Sequence, residues 1–213
     1  MSALTLVIGN KNYSSWSLRP WLALRQAGAD FTEELIGLRQ PETRARILSY
    51  SPAGRIPVLI DGDVTVWESL AICEYVAELY PAAGLWPDDR AARAVCRSVA
   101  TEMHGGFAAL RQALPMDYRA SLPLPELDEA VHEDIARIQA AWRTARRRFG
   151  AGGPFLFGRF SIADAMYAPV VTRFATYGVA LDEVAQAYAA AVLDLPAMQE
   201  WLAAARLEPA LPQ

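Results

Sequence analysis

The 213-residue chain carries 20 lysines and arginines against 24 aspartates and glutamates, which gives a net charge of −4. Hydrophobic residues make up 53% of it, as in a globular protein of one large domain or two small ones. The acidic balance argues against a nucleic-acid partner. The Met-Ser-Ala start lacks a leader pattern and no apolar run reaches 18 residues, so we expect a cytoplasmic protein without a membrane segment.

The first 80 residues alternate between strand and helix patterns. Short apolar runs rich in β-branched residues predict four strands, and amphipathic runs predict three helices between and after them. The resulting order, βαβαββα, predicts a small α/β domain over residues 1–80 with a mixed four-stranded sheet. In chain order the predicted elements are Leu4–Ile8, Ser15–Ala27, Phe31–Leu35, Glu42–Leu48, Pro57–Ile60, Val64–Val66 and Glu68–Tyr80.

Residues 81–87 form a Pro- and Gly-containing linker, and residues 88–213 read as an all-helical domain. Apolar residues at helical spacing predict helices from Asp88 or Asp89 to Leu114, from Pro123 to Phe149, from Ser161 to Phe174 and from Leu195 to Arg206. The third of these opens with Ser161-Ile162-Ala163-Asp164, which has the spacing of a capping box. Cys73 and Cys96 lie inside helical patterns and predict buried free thiols.

A polar turn with three serines, Ser14, Ser15 and Ser17, connects the first strand to the first helix. The start of a helix presents unpaired backbone N–H groups and the positive end of the helix dipole. A serine hydroxyl there caps the helix, or it donates a hydrogen bond to an anion held in front of the helix. Tyr13 is a rival hydroxyl for the second role.

Several common chemistries are not favoured by the sequence. His104 and His132 are the only histidines, and no Gly-x-Ser-x-Gly motif is present, which argues against a serine hydrolase. No His/Cys/Asp cluster with metal-ligand spacing occurs, so we expect no metal. The glycine-rich run 150–154 lacks the lysine of a phosphate-binding loop.

Four motifs in order resemble the cytosolic glutathione S-transferase family, and the resemblance covers nearly the whole chain. Residues 13–19 resemble the Ser-Ser-Cys-Ser signature of the zeta class, with Trp16 where cysteine is usual. Residues 54–59 resemble the cis-proline loop, residues 68–75 resemble the stretch that holds the γ-glutamyl end of glutathione, and residues 161–164 match the buried capping box. The implied fold is a thioredoxin-like domain followed by an all-helical domain.

The resemblance also implies a glutathione site. Ser14 would donate its hydroxyl to the thiolate, with Ser15 as a neighbouring donor. The backbone of Ile56, before a cis Pro57, would pair with the cysteinyl unit. Glu68 and Ser69 would hold the γ-glutamyl end, while Gln40 or Arg55 would meet the glycyl carboxylate. The second, electrophilic substrate would lie between the domains, among Trp16, Met103, His104, Phe107, Arg111 and Arg173, with Tyr167 and Tyr177 nearby.

The predicted function is therefore a glutathione transferase that acts on a small, mostly apolar electrophile by conjugation, isomerisation or peroxide reduction. Maleylacetoacetate isomerase-like activity would use Arg173, although this arginine lies about one turn earlier than in the zeta class. A glutathione-fold binding or regulatory module without catalysis is the alternative. Thioredoxin-type disulfide exchange is not expected, because Ser14 and Ser17 stand where two cysteines would be needed. The family also implies a homodimer.

Overall fold

The computed structural model describes residues 4–211, and its first part is the predicted α/β unit. Four strands form one sheet in the order β2-β1-β3-β4, with β1 parallel to β2 and antiparallel to β3, and β3 antiparallel to β4. The mixed sheet and the βαβαββα order are confirmed. The elements are β1 (Leu4–Gly9), α1 (Ser15–Gln26), β2 (Phe31–Ile36), α2 (Thr43–Tyr50), β3 (Val58–Asp61), β4 (Val64–Trp67) and α3 (Ser69–Leu79).

The central strand β1 is buried on both faces, as its uninterrupted apolar sequence requires. Leu6 and Ile8 point into the large core beneath α1 and α3, whereas Val7 points to the opposite face, where it joins Val58 and Ile47. Because successive side chains of a strand alternate in direction, this single strand supports both layers of the unit.

After a short 3-10 turn (Pro81–Ala83), the described chain forms six α-helices joined by turns and irregular segments. Helix α7 opens with the capping box predicted at Ser161 and Asp164, and both of its reciprocal hydrogen bonds are present. The helices are α4 (Arg90–Gly105), α5 (Ala108–Ala113), α6 (Glu129–Phe149), α7 (Ile162–Tyr177), α8 (Glu183–Leu193) and α9 (Pro196–Leu207).

The prediction of one continuous helix up to Leu114 is wrong, because the chain breaks after α4. Gly106 is extended, and a Cβ there would lie 2.7 Å from the carbonyl oxygen of Glu102. The next residue, Phe107, has a φ of +58°, in the left-handed region. The backbone therefore turns between α4 and α5, and α5 becomes a separate short helix that packs on α6.

The helical half differs from the sequence prediction in two further respects. Helix α6 begins at Glu129 and not at Pro123, so residues 115–128 connect α5 to α6 without a regular helix. Helix α8 was not predicted, because its Ala-rich sequence shows no sharp apolar stripe. It is nevertheless capped by Asp182, whose side chain accepts a hydrogen bond from the Ala185 N–H.

One continuous core joins the two halves of the molecule. Helix α1 packs on α3 of its own half and on α7 and α9 of the helical half. The indole rings of Trp21 and Trp201 meet edge to face, with their centroids 5.1 Å apart. Helix α1 therefore lies at the junction between the two halves and packs on both.

Cys73 and Cys96 are buried free thiols, as predicted. Burial raises the pKa of each to about 12, so neither supplies a thiolate at neutral pH. Of the helices within residues 4–211, none has the length and apolar character needed to cross a bilayer.

Candidate active site

The turn between β1 and α1 is fixed by groups far away in the sequence. The carboxylate of Glu208, near the end of the chain, accepts hydrogen bonds from the N–H groups of Lys11 (2.7 Å) and Asn12 (3.1 Å). The fully buried Asn12 side chain donates to Asp117 (2.7 Å) and accepts from the Arg119 N–H (3.0 Å). These four bonds set the position of the helix start that follows.

Ser14 precedes the first turn of α1, but its hydroxyl does not cap the helix. Instead its Oγ lies 2.7 Å from the Oγ of Ser17, which also accepts a hydrogen bond from the Gly9 N–H at 3.1 Å. Since Ser17 can donate its own proton to Ser14, the Ser14 proton can be directed to a second acceptor. Ser14 is therefore chemically available as a donor to an anion.

The neighbouring hydroxyls have partners from the helical half. Ser15 Oγ accepts a hydrogen bond from Nη2 of Arg173 at 3.3 Å, and Tyr13 Oη accepts from Nη2 of Arg119 at 2.8 Å. Arg173 also donates to two backbone carbonyls, those of Leu114 and Pro169, so it connects α7 to the helix start. Of the predicted site residues, Ser15 and Arg173 are thus in direct contact.

A cleft of about 600 Å³ opens between the two halves beside this helix start. Its size is that of a small-ligand site. Seven of the residues singled out in the sequence line it, together with Ile47 and Gly105, which were not. The seven are Trp16, Arg55, Ile56, Pro57, Glu68, Ser69 and His104. The bond between Ile56 and Pro57 is cis, as predicted.

Glu68 and Ser69 form a distinctive corner of the cleft. Glu68 has a φ of +69°, a left-handed conformation that is costly for a residue with a side chain and is often kept for function. Its carboxylate forms an ion pair with Arg55 (3.4 Å) and lies 3.6 Å from Nε2 of His104. The Ser69 hydroxyl is buried at the first turn of α3 and has no hydrogen-bond partner within the described chain.

The other predicted site residues are not among those that line this cleft: they are Ser14, Ser15, Gln40, Met103, Phe107, Arg111 and Arg173. Met103 and Phe107 are buried in the core, as are Tyr167 and Tyr177. Gln40 is exposed in the turn before α2, where its side-chain amide faces the carbonyl of Leu38 at 3.5 Å.

Trp16 stands at the back of the cleft among positively charged groups. The guanidinium carbon of Arg19 lies 4.1 Å from its ring centroid and that of Arg111 lies 5.3 Å from it, while His104 meets the same ring edge to face at 5.4 Å. Arg19 was missed by the sequence analysis. Arg19 lies three residues after Trp16, so the two side chains share one face of α1. This spacing is the sequence feature from which a role for Arg19 beside Trp16 could have been predicted.

Burial lowers the pKa of Arg19 to about 9, and repulsion from Arg173 and Arg111 adds to the effect. Burial also lowers the pKa of His104, with a further contribution from Arg19, so this imidazole is neutral at pH 7. Among residues 4–211, no group of three or more His, Cys, Asp or Glu side chains is arranged to hold a metal ion.

The fold and the cleft define a thioredoxin-like unit joined to a helical domain, with a small-molecule site at their junction. Two family descriptions match the sequence: "Glutathione S-transferase, N-terminal domain" over residues 13–79 and "Glutathione S-transferase, C-terminal domain" over residues 128–204. Together they account for about two thirds of the chain. The protein belongs to the glutathione S-transferase family.

Curated relatives match over shorter stretches. A dichloromethane dehalogenase of Methylophilus leisingeri is 42% identical over 62 residues, which are 27% of this chain and 22% of that protein. A probable maleylacetoacetate isomerase of Caenorhabditis elegans is 33% identical over 97 residues, 45% of this chain and 44% of that protein. The aligned stretches therefore span less than half the length of either relative.

Solved structures match over the full length. The theta class glutathione S-transferase of the citrus canker pathogen Xanthomonas axonopodis pv. citri, with glutathione bound, is 25% identical, with a TM-score of 0.67, and the match covers 100% of both chains. The similarity to known structures thus extends across both halves and the cleft between them.

Proposed function

We propose that the protein is a glutathione transferase that binds glutathione in the cleft and activates its thiol at the start of α1. The observation that carries this proposal is that Pro57, Glu68 and Ser69, from separate loops of the α/β unit, line one cleft beside Trp16 of the first turn of α1. The theta class relative with bound glutathione has the same fold over its whole length.

The polar groups of the cleft match the charges of glutathione. The carboxylate of Glu68 would bind the ammonium group of glutathione. The unpartnered Ser69 hydroxyl and the start of α3 suit the γ-glutamyl carboxylate, because a helix N-terminus favours an anion. Arg55, exposed at the rim, suits the glycyl carboxylate. The tripeptide would then direct its cysteinyl thiol toward the start of α1.

At the start of α1, Ser14 would stabilise the thiolate. Only the thiolate is a strong nucleophile, and a free thiol with a pKa near 8.5 is mostly protonated at neutral pH. Lowering that pKa by about two units requires roughly 2.7 kcal/mol of preferential stabilisation. One hydrogen bond to the charged sulfur together with the helix dipole is of this size.

The choice among conjugation, isomerisation and peroxide reduction rests on the second substrate. The C. elegans relative is named as a probable isomerase and the M. leisingeri relative as a dehalogenase, so both an isomerisation and a halide displacement are within the chemistry proposed for this chain. A non-catalytic binding module is the weaker alternative, since the Ser14 hydroxyl has no capping role and can donate to an anion when Ser17 donates to it.

Titration calorimetry tests the glutathione site. We expect binding with a Kd below 1 mM, and we expect Glu68→Gln to weaken it by about tenfold, because it removes the charged partner of the ammonium. Glu133→Gln, on the exposed face of α6 outside the cleft and the proposed dimer surface, is the matched control and should bind like the wild type. No binding by the wild type at millimolar glutathione, or equal effects of the two variants, would contradict the proposed site.

We further propose a homodimer through the surface formed by residues 71–78 of α3 and residues 91–97 of α4. Light scattering at micromolar concentration should give twice the 23.3 kDa of one chain. A mass of 23.3 kDa under the same conditions would show that the chain works as a monomer.

A further inference from the structure

Both backbone polar groups of Lys11, in the turn between β1 and α1, are bound by the region of α9. The indole N–H of Trp201 donates to the Lys11 carbonyl at 3.0 Å, and the carboxylate of Glu208 accepts the Lys11 N–H at 2.7 Å. The second oxygen of the same carboxylate accepts the Asn12 N–H at 3.1 Å. Glu208 directly follows the last residue of α9, so the end of this helix is fastened to the turn.

These contacts restrict the backbone that leads to Ser14. The next two N–H groups, those of Tyr13 and Ser14, both donate to the carbonyl of Asn10, at 3.1 and 2.8 Å. Every backbone N–H from residue 11 to residue 14 therefore has an acceptor, and Glu208 accepts two of the four. Hydrogen bonds to a charged acceptor are stronger than those between neutral groups. Glu208 is thus a strong restraint on the position of Ser14.

The carboxylate of Glu208 is committed to this turn. None of the ion pairs found within residues 4–211 involves it, and each of its two oxygens accepts a backbone N–H of the turn. Arg119, from the segment between α5 and α6, donates to the backbone carbonyl of Glu208 and to the Tyr13 hydroxyl. A second part of the helical half therefore stabilises the same contact.

We propose that Glu208 is a positioning residue for thiol activation, because it holds the turn in which the Ser14 hydroxyl is presented to the sulfur of glutathione. This role rests on the proposed function, since Glu208 would act through Ser14. A hydrogen bond weakens steeply when its distance or angle departs from the optimum. A misplacement of about 1 Å, caused by a change far from the reacting atoms, can cost about 100-fold in rate.

The direction of the effect separates positioning from the electric field of the carboxylate. A negative charge near a thiol raises the pKa of that thiol, so removing Glu208 would by its field alone lower the pKa of bound glutathione. Loss of positioning acts in the opposite direction, because a displaced Ser14 hydroxyl stabilises the thiolate less. A higher pKa of bound glutathione without Glu208 therefore identifies a positioning role.

Glu208→Ala should raise the pKa of bound glutathione by about one unit, measured by the ultraviolet absorbance of the thiolate across pH. At about pH 5.5, below both pKa values, one unit is a tenfold loss of thiolate, so kcat/KM for 1-chloro-2,4-dinitrobenzene should fall about tenfold. Glu208→Gln keeps one carbonyl oxygen as an acceptor and should shift the pKa less. This variant also keeps the test valid if the alanine variant does not fold.

S-methylglutathione measures binding separately from thiol activation, because it has no thiol to ionise. In calorimetry Glu208→Ala should bind it within twofold of the wild type, since the proposed partners of its charged groups, Glu68, Ser69 and Arg55, lie in other loops. An affinity loss that matches the change in pKa would mean that Glu208 supports the whole cleft, and it would refute a role directed at Ser14.

Glu200→Ala controls for a general loss of contact between α9 and α1. Glu200 also joins these helices, by an ion pair with Arg25 at 2.7 Å, but it does so at the end of α1 remote from Ser14. It should leave the pKa of bound glutathione near that of the wild type.

The remaining outcomes distinguish this inference from the proposed function. If Glu208→Ala leaves the pKa of bound glutathione unchanged or lowers it, or if Glu200→Ala raises it equally, the positioning role is refuted while the glutathione site stands. If the wild type binds neither glutathione nor S-methylglutathione, the proposed function fails, and the role of Glu208 fails with it.

Discussion

Ser14→Ala is expected to lower kcat/KM for conjugation of 1-chloro-2,4-dinitrobenzene by about 100-fold, the usual cost of losing one donor to a reacting anion. It should also raise the pKa of bound glutathione toward that of the free thiol, since the hydroxyl stabilises the thiolate more than the thiol. The ultraviolet absorbance of the thiolate in the enzyme–glutathione complex, followed from pH 5 to 10, measures this pKa directly.

Three variants serve as controls for Ser14. Ser15→Ala loses the contact with Arg173, and Tyr13→Phe loses the contact with Arg119, so both should leave the thiolate pKa near that of the wild type. Ser17→Ala should shift it by a smaller amount, because Ser14 keeps its hydroxyl but loses the partner at 2.7 Å that orients it. A shift in Tyr13→Phe or Ser15→Ala with none in Ser14→Ala would assign the thiolate to the neighbouring hydroxyl.

The parts of the fold that the sequence predicted are those encoded by local periodicity. The apolar run of β1 and the repeating apolar positions of α6 determine their own secondary structure, because each buries a continuous surface. The capping box at Ser161 likewise involves only four residues. The break at Gly106 was missed because an apolar stripe runs through it, while the turn depends on Phe107 adopting a left-handed backbone.

The candidate site likewise contains some residues that a sequence motif identifies and others that only the tertiary structure reveals. Pro57, Glu68 and Ser69 stand at the starts of elements, where a motif can be recognised without knowing the tertiary structure. Arg19 reads as an ordinary helix arginine, and its burial follows from the packing of α1 on α7, a contact more than 140 residues distant in sequence. The carboxylate of Glu208 accepts a hydrogen bond from the N–H of Asn12, which is 196 residues away in the sequence. No local sequence pattern encodes such a bond.

Asp164→Ala is expected to destabilise the protein by about 3 kcal/mol or more. The carboxylate of Asp164 is fully buried and accepts the N–H groups of Ser161 (2.8 Å) and Leu156 (3.1 Å) and the Ser161 hydroxyl (2.8 Å). Alanine leaves these buried donors without an acceptor, at roughly 1–3 kcal/mol each. Urea denaturation followed by circular dichroism measures the change, and Asp194→Ala, at the end of α8, is a control that should lose much less.

The pH dependence of stability identifies the carboxyl group itself as the cause. Burial raises the pKa of Asp164 to about 6 in the folded protein, against an ordinary value of 3.8, although its hydrogen bonds oppose the shift. The unfolded chain therefore loses this proton at lower pH than the folded one. As pH rises from about 4 to 6, the wild type should lose about 3 kcal/mol of stability through this group, and the loss should level off above pH 6.

The Asp164→Asn variant has no proton to release at this position. Its stability relative to that of the wild type should therefore improve as pH rises from about 4 to 6. If the difference between the two proteins is the same at pH 4 and pH 7, the buried carboxyl does not titrate in this range, and its role is confined to its hydrogen bonds.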